Sequence, residues 1–301
     1  MISWLLIIIL SYFLFSLSAF GDKLILSGPP KPISYVFYVG ILNALVVLII
    51  PFIYFIIPSP FLFLLIIIEA IIFILAMYIA FSAVEKFDIT KVATTIGAIQ
   101  PIFVLILAWI FWGSQIFNSR IILAFLLLLL GSFIISLENN YKRIREYIKI
   151  VLIASFLFSL DYVLSKFIFM QMPFLQAFIW MRIFAALFVL IFLFSKKNRK
   201  EIFGKNSVLK EKVSILFFFT QLVGGAAVIL QAFAVYLVPI GFLPIINSLR
   251  GVQYIFLFLI TLFFSIFLPK IFSEEISKKI ILQKIIAIFL IIGGLVLVVF
   301  V

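Results

Sequence analysis

The stretch Phe-Leu-Phe-Ser-Leu occupies residues 13–17 and occurs again at residues 156–160, an offset of 143 residues. The match extends beyond the pentapeptide, since Lys23 has its counterpart in Lys166 at the same offset. Each copy lies in the first apolar segment of its half of the chain. A repeat of about half the chain length is typical of membrane proteins built from two copies of one unit. The stretch therefore indicates a duplicated chain.

The composition predicts a membrane protein. Of the 301 residues, 67% are hydrophobic and 11% are charged, whereas soluble domains are roughly half apolar and about a quarter charged. The chain has no Cys and no His, which excludes disulfides, thiol chemistry, His acid–base catalysis and the usual zinc ligand sets. The net charge of +12 does not indicate nucleic-acid binding, because the basic residues lie in short connections that set topology. We expect a lipid bilayer as partner and no nucleic acid.

Ten apolar segments are long enough to cross a bilayer, which requires about 20 mostly apolar residues. The connections between them carry Pro, Gly, Asn or charged residues, as turns do. The predicted segments are 2–20, 33–57, 61–84, 92–113, 121–138, 147–170, 174–195, 213–238, 244–268 and 280–301. The first segment lacks a basic leader, so we expect a retained helix rather than a cleaved signal. The connection at 195–212 is predicted to be a basic loop.

These segments divide into two repeats of five, at residues 1–142 and 143–301. An odd number of helices per repeat inverts the second repeat relative to the first, about an axis in the membrane plane. The predicted fold class is all-α integral membrane, with ten transmembrane helices as two inverted five-helix repeats. Because one chain supplies both repeats, a functional monomer is expected.

The basic residues predict the orientation. The odd-numbered connections and the adjoining helix ends hold 19 of the 23 Lys and Arg residues, while the opposite side holds only Arg120. By the positive-inside rule, the odd-numbered connections are cytoplasmic. We therefore predict a multi-pass protein of the cell membrane, inner or plasma, with both termini facing outward.

A second repeated pattern relates the third and fourth segments to the eighth and ninth. Each pair consists of a helix rich in small residues, a tight turn, and a helix opened by a polar residue with Pro or Gly. The stretches concerned are 76–83 with 94–103 and 231–236 with 246–252. Each half then closes with a glycine-bearing apolar segment. This pattern resembles the ten-helix, EamA-type branch of the drug/metabolite transporter (DMT) superfamily, over essentially the whole chain.

The resemblance implies alternating access around a central cavity and export of small metabolites. The chain departs from the family pattern where Gln100 and Arg250 stand in place of the Glu that the family often carries there. It departs again after the fourth segment, where residues 113–115 read Gly-Ser-Gln and the family often has Gly-Glu. Members of this branch usually have cytoplasmic termini, whereas the charge count of this chain predicts termini outward.

Glu69 lies near the middle of the third segment, and Arg182 lies eight residues into the seventh. A charge at mid-bilayer costs at least about 2.5 kcal/mol, so Glu69 must face a cavity, be paired or be protonated. It is either a substrate contact or proton carrier, or a neutral or paired structural carboxyl. Arg182 stays charged and needs a carboxylate, carbonyls or water. It either lines a cavity or forms an interhelical pair, with Glu69 as one possible partner.

The sixth segment carries two charges. Asp161 lies at the position of the second repeat that is equivalent to Ser18 in the first. This difference between the repeats breaks the pseudo-symmetry and makes Asp161 a second cavity candidate. Lys166 is either a cavity residue or a side chain that extends to the membrane face. Helical spacing places Lys166 on one face with Ser155, Ser159 and Tyr162.

Arg250 opens the ninth segment and shares a face with Asn247, Gly251 and Tyr254. A cation beside a helix N-terminus suits a carboxylate or another anionic group. The alternative interpretation is an interfacial Arg beside the loop.

Further polar candidates are Gln221 in the eighth segment and Gln100 in the fourth. Each alone is explained by hydrogen bonding between helices, while together they indicate a polar-lined central cavity. Trp180 either lines that cavity or belongs to an interfacial aromatic belt.

The leading hypothesis is a secondary active transporter of small metabolites, amino-acid-like or other small organic solutes, with efflux as the direction that the resemblance implies. The alternative is a channel or structural membrane component without coupled transport. An enzyme is not predicted, because the chain offers no clustered catalytic groups. Transport driven directly by ATP is not predicted either, because the sequence has no nucleotide-binding loop. No cofactor is predicted, although Glu69 or Asp161 could couple transport to protons.

Overall fold

The computed structural model describes residues 3–26, 32–84, 86–87, 89–113, 119–136, 144–204, 207, 214–267 and 278–300. Within these ranges every regular element is helical. The α-helices are α1 Ser3–Leu26, α2 Pro32–Leu42, α3 Pro60–Val84, α4 Ile89–Trp112, α5 Ser119–Ser136, α6 Ile144–Gln171, α7 Phe174–Val189, α8 Lys196–Phe203, α9 Ser214–Leu237, α10 Leu243–Ser248, α11 Arg250–Phe267 and α12 Lys278–Val299. Two 3₁₀ helices, Asn43–Phe52 and Leu190–Phe194, continue α2 and α7.

Among the described residues, nine helical stretches of 18 to 26 residues are long and apolar enough to cross a membrane. The fifth predicted segment, 121–138, corresponds to a shorter apolar helix, Ser119–Ile134. Large apolar side chains face outward on these stretches, such as Leu222 and Phe289, which are 73% and 72% exposed. Such surface requires a lipid environment. The prediction of an all-α, multi-pass membrane protein is confirmed, while the inverted ten-helix repeat stays a prediction.

The second segment differs from its prediction. The apolar pattern predicts one helix over residues 33–57, but the α-helix ends at Leu42 and a 3₁₀ helix continues to Phe52. Pro51 lies inside that 3₁₀ stretch. Proline has no backbone N–H and its ring clashes with the preceding turn, so the helix does not continue far beyond it. The chain is extended at Ile53 before α3 begins at Pro60.

The predicted basic loop at 195–212 contains a helix, α8. The Ser195 side chain caps it by accepting a hydrogen bond from the Asn198 N–H at 3.4 Å. Ile202 anchors this helix, since its side chain is fully buried. Because most residues of α8 are charged, apolarity alone gave no signal for it.

The chain separates into two compact units. Unit 1 contains residues 1–24, 93–142 and 219–301, and unit 2 contains residues 25–92 and 143–218. Each unit therefore draws on both halves of the sequence. Compactness does not test whether the two halves superimpose, so the repeat boundary at 142/143 stays a prediction.

In unit 1, small residues allow helices to pack closely. A Cβ atom at Gly294 of α12 would lie 3.2 Å from the Ala124 carbonyl oxygen of α5. A Cβ atom at Gly131 of α5 would lie 3.0 Å from the Ala287 carbonyl oxygen. Close backbone approach of this kind is how helices associate in lipid, where no hydrophobic effect drives them together.

In unit 2, α3 packs against α6, α7 and α2. The core of this unit contains Val36, Ala70, Ile74 and Val189, all of which are buried. This packing brings the middle of α3, where Glu69 lies, beside α6 and α7.

Candidate functional site

A group of polar side chains is buried where α3, α6 and α7 meet. Arg182 Nη2 lies 3.4 Å from Glu69 Oε1, and Ser165 Oγ donates a hydrogen bond to the same oxygen at 3.4 Å. The Asp161 carboxyl lies near enough to the Glu69 carboxyl for the two groups to interact. We call Glu69, Asp161, Ser165 and Arg182 the acidic cluster. Glu69 has no exposed surface and Arg182 is buried, while Asp161 and Ser165 are half-buried.

The acidic cluster is not fully hydrogen-bonded by the protein. Glu69 Oε2 and Asp161 Oδ1 are buried acceptors without a partner, and Arg182 Nε and Nη1 are buried donors without one. Buried polar atoms are satisfied in the great majority of cases, and each exception calls for an explanation. Because charged groups carry the largest desolvation penalty, four such atoms in one cluster indicate that it holds a further species.

Two aromatic rings hold the guanidinium of Arg182. Its Cζ atom lies 4.3 Å from the centroid of the Phe73 ring and 5.4 Å from that of Phe178. A guanidinium over a ring face is attracted by the ring quadrupole, and more strongly where water is absent. The rings therefore fix Arg182 in an apolar setting without using its N–H donors.

A second polar group lies in unit 1, around Arg250. The Arg250 Nη1 atom donates to Gln100 Oε1, and the Tyr254 hydroxyl donates to the Ala93 carbonyl oxygen at 3.0 Å. Gly97 makes this approach of α11 to α4 possible, since a Cβ atom there would lie 2.6 Å from Arg250 Cδ. We call Arg250, Gln100, Tyr254, Asn247 and Tyr12 the Arg250 cluster.

A helix break adjoins the Arg250 cluster. α10 ends at Ser248, Leu249 forms a turn, and α11 begins at Arg250. The Val252 N–H donates to the Leu249 carbonyl three residues back, which is the tighter 3₁₀ pattern. Both pieces belong to one membrane-spanning stretch, Ile240–Phe264. Discontinuous helices within membranes typically line binding sites or cavities.

Hydroxyl groups from other helices satisfy carbonyls at this break. The Tyr12 hydroxyl donates to the Ile246 carbonyl oxygen at 2.6 Å, and Ser132 Oγ donates to the Ser248 carbonyl oxygen at 3.0 Å. Beside them, Asn247 is 1% exposed and its Nδ2 donor has no partner. Hydrogen bonds to these backbone carbonyls therefore stabilise the break, while Asn247 Nδ2 stays available as a buried donor.

Sequence reasoning missed Tyr12, which is fully buried and interacts with Gln231 and Arg250. A signal was present, because Tyr12 and Ser155 occupy the same position immediately before the two copies of the repeated pentapeptide. Both side chains are completely buried. A polar group at the same place in both repeats marks an inward-facing position.

The structure thus groups the predicted residues as Glu69, Asp161 and Arg182 in one cluster and Arg250, Gln100, Asn247 and Tyr254 in the other. Lys166 is buried together with Ser155, Ser159 and Tyr162, as their spacing predicts. Gln221 is half-buried on α9, outside the contacts described for either cluster.

Trp180 lies in an aromatic group rather than in the acidic cluster. Its ring stacks on Phe55 with centroids 4.9 Å apart, and its Nε1 donates to the Ile56 carbonyl oxygen at 2.9 Å. The indole therefore ties α7 to the extended chain that follows Phe52. Its predicted role in a cavity wall stays a prediction.

A surface cavity of about 560 Å³ lies on α8, outside the candidate membrane spans. It is lined by Lys196, Arg199, Lys200, Phe203 and Gly204. This basic surface belongs to the seventh connection, for which the charge count predicts a cytoplasmic position.

The fold and its apolar helices define a helical, multi-pass membrane protein. No known family model matches the sequence, and no curated protein matches it. A solved structure described only as "Crystal structure of protein" is similar, with a TM-score of 0.67 and 16% identity over 98% of this chain and 96% of that chain. At that identity the similarity shows the fold alone, and it extends over nearly the whole chain.

Proposed function

We propose that the chain is a secondary transporter that moves small organic solutes by alternating access. The observation that carries this proposal is the presence of two incompletely hydrogen-bonded polar clusters within membrane-spanning helices. Ionisable residues inside a membrane are expensive, and by default they mark a substrate or ion pathway. A component with a purely structural role would gain nothing from leaving Glu69, Arg182 and Asn247 with unpartnered atoms.

The transported solute carries an anionic group in this proposal. Arg250 stands at the first residue of α11, directly after the helix break, where the helix dipole adds to its positive charge. Asn247 offers a buried amide donor three residues earlier. A carboxylate or phosphate suits this pair of donors, and an amino-acid-like metabolite would meet the requirement. The resemblance to EamA-type transporters favours export.

Ten membrane helices in two inverted repeats complete the proposal. α5 supplies the tenth crossing, and a short apolar helix of this kind is accommodated by local thinning of the bilayer or by neighbouring helices. The proposed orientation has both termini outward and α8 in the cytoplasm, as the distribution of Lys and Arg predicts. The chain acts as a monomer and without enzymatic chemistry in this proposal.

A thermal-unfolding screen of the purified protein tests the solute class. Ligands that bind only the folded state raise its melting temperature by mass action. We expect one or more small carboxylates or phosphates to stabilise the wild-type protein and not Arg250→Gln. Arg120→Gln is the matched control, because Arg120 is exposed at the start of α5. Equal stabilisation of all three proteins would refute the role of Arg250.

A further inference from the structure

The unpartnered acceptors of the acidic cluster are oxygens on adjacent carboxyl groups. Glu69 Oε2 and Asp161 Oδ1 are both enclosed by protein, and Glu69 itself has no exposed surface. Ser165 adds a hydroxyl oxygen, whose hydrogen is donated to Glu69 Oε1. Two carboxyl groups in contact repel each other when both are ionised, unless a positive charge lies between them. The oxygens therefore require a cationic partner beyond what Arg182 provides.

The charges of the cluster identify the valence of that partner. Two carboxylates and one guanidinium leave a single negative charge, which is expensive within the bilayer. One monovalent cation makes the cluster neutral. A divalent cation would instead leave a net positive charge beside Arg182, which is held between two phenylalanine rings.

Among the described residues of α2, α3, α6 and α7, no other side chain supplies the missing positive charge. Elements α2 and α7 contribute no charge besides Arg182, and the tyrosines of α2 are engaged elsewhere, with Tyr38 donating to the Ile202 carbonyl oxygen and Tyr35 packed on Phe217. On α3 itself, Tyr78 lies nine residues from Glu69, about 13 Å along the helix.

On α6, the charged residues 145–149 lie at least twelve residues before Asp161, about 18 Å along the helix. Lys166 lies about 140° around α6 from Asp161, on the face that it shares with Ser155 and Ser159. The missing positive charge therefore does not come from the described side chains around the cluster.

We propose that Glu69 and Asp161 together hold one monovalent cation, a proton or a sodium ion, and that this cation is the coupling ion of the transporter. The proposal rests on the proposed transport function for the coupling role only. Arg182 acts as a positioning residue that fixes Glu69 Oε1 and leaves Oε2 for the cation. Hard oxygen ligands suit sodium, while a proton would bridge the two carboxyl groups in one short hydrogen bond.

The cation is measured on the purified full-length protein without any solute. In the sodium arm, sodium chloride raises the melting temperature by several degrees over choline chloride at equal ionic strength. Asp161→Asn loses this rise and Ser165→Ala reduces it. In the proton arm, sodium has no such effect, and infrared spectroscopy at neutral pH detects the carbonyl stretch of a protonated carboxyl group, which Asp161→Asn loses.

Glu201→Gln, which removes a carboxylate of α8 outside the membrane spans, retains the wild-type signal in both arms. Asp161→Asn is expected to fold, because Glu69 and Arg182 then balance each other. The proposal is overturned if neither signal is found, if either one persists in Asp161→Asn, or if calcium or magnesium proves to be the stabilising ion.

Coupling is measured separately in proteoliposomes. A gradient of the identified cation should drive solute movement in the wild type and not in Asp161→Asn. If the variant stays coupled, the coupling role is overturned. If the cation binds but no solute moves in any protein, the proposed transport function fails while the cation site stands.

Discussion

Arg182 Nη2 and Glu69 Oε1 lie 3.4 Å apart, although 113 residues of sequence separate the two side chains. Each residue alone would be an isolated charge within an apolar helix, and their contact joins α7 to α3. A buried ion pair of this kind adds little net stability, but it constrains which residues are tolerated. Removal of one partner leaves the other as an uncompensated buried charge.

The first prediction concerns that constraint. Arg182→Met leaves Glu69 and Asp161 without their guanidinium, so we expect the free energy of unfolding to fall by about 3–5 kcal/mol. Equilibrium unfolding in mixed micelles measures it. Lys86→Met is the control, since the Lys86–Glu146 pair is exposed on both sides and should contribute about 1 kcal/mol or less. Equal losses in the two variants would contradict the buried placement of Arg182.

The second prediction concerns the contact of α4 with α11. Gly97→Ala introduces a methyl group where Arg250 Cδ lies 2.6 Å away and the Tyr254 hydroxyl is closer still. Overpacking of this kind costs about 1–3 kcal/mol, and thermal unfolding should show the loss. Gly225→Ala serves as control, because nothing lies within 4 Å of its added Cβ atom. Addition of Tyr254→Phe to Gly97→Ala should recover part of the stability, and a stable Gly97→Ala single variant would refute the contact.

The third prediction concerns the helix break at Leu249. Tyr12→Phe and Ser132→Ala each remove the hydroxyl that serves a carbonyl beside the break, so each should lower stability by about 0.6–2 kcal/mol. Ser159→Ala should have a smaller effect, because that hydroxyl donates to the Ser155 carbonyl of its own helix. Chemical unfolding of the three variants compares them directly. A larger loss for Ser159→Ala would show that these carbonyls do not depend on interhelical hydroxyls.

The fourth prediction concerns orientation. The natural chain has no cysteine, so each introduced cysteine is the only thiol. Lys197 of α8 and Gln171 at the end of α6 are both exposed, and the charge distribution places them on opposite sides. A membrane-impermeant maleimide should label Gln171→Cys in intact cells and Lys197→Cys only in inverted vesicles. The reverse pattern would place the termini in the cytoplasm.

Much of the fold was predictable because about twenty consecutive apolar residues are a strong physical signal. The end of the helical stretch at Phe52 was not, since Pro51 interrupts a run whose apolarity continues to residue 57. Apolarity also does not show the change from α-helix to 3₁₀ helix after Leu42. The helix α8 was missed for the opposite reason, as it is short and charged. There, the Ser195 cap and the closing Gly204 were the available local signals.

The clusters were predictable in part. Glu69 and Arg182 were candidates because they are charges within apolar segments. Asp161 was a candidate because the equivalent position of the first repeat carries Ser18. Which side chains meet could not be predicted, because nearly every face of these helices is apolar and the pattern does not distinguish lipid from a neighbouring helix. For the same reason, Tyr12 did not stand out from the aromatic residues around it.

The measurement that tests transport most directly is solute counterflow in proteoliposomes. Vesicles containing the wild-type protein are loaded with a defined mixture of amino acids, organic acids and sugar phosphates, and mass spectrometry follows their release. We expect saturable release of at least one solute, and faster release when the same solute is present outside. This release should be retained in Arg120→Gln and lost in the double variant Glu69→Gln/Arg250→Gln. Release that matches protein-free vesicles for every solute, or that rises linearly without saturation as through a channel, would contradict this expectation.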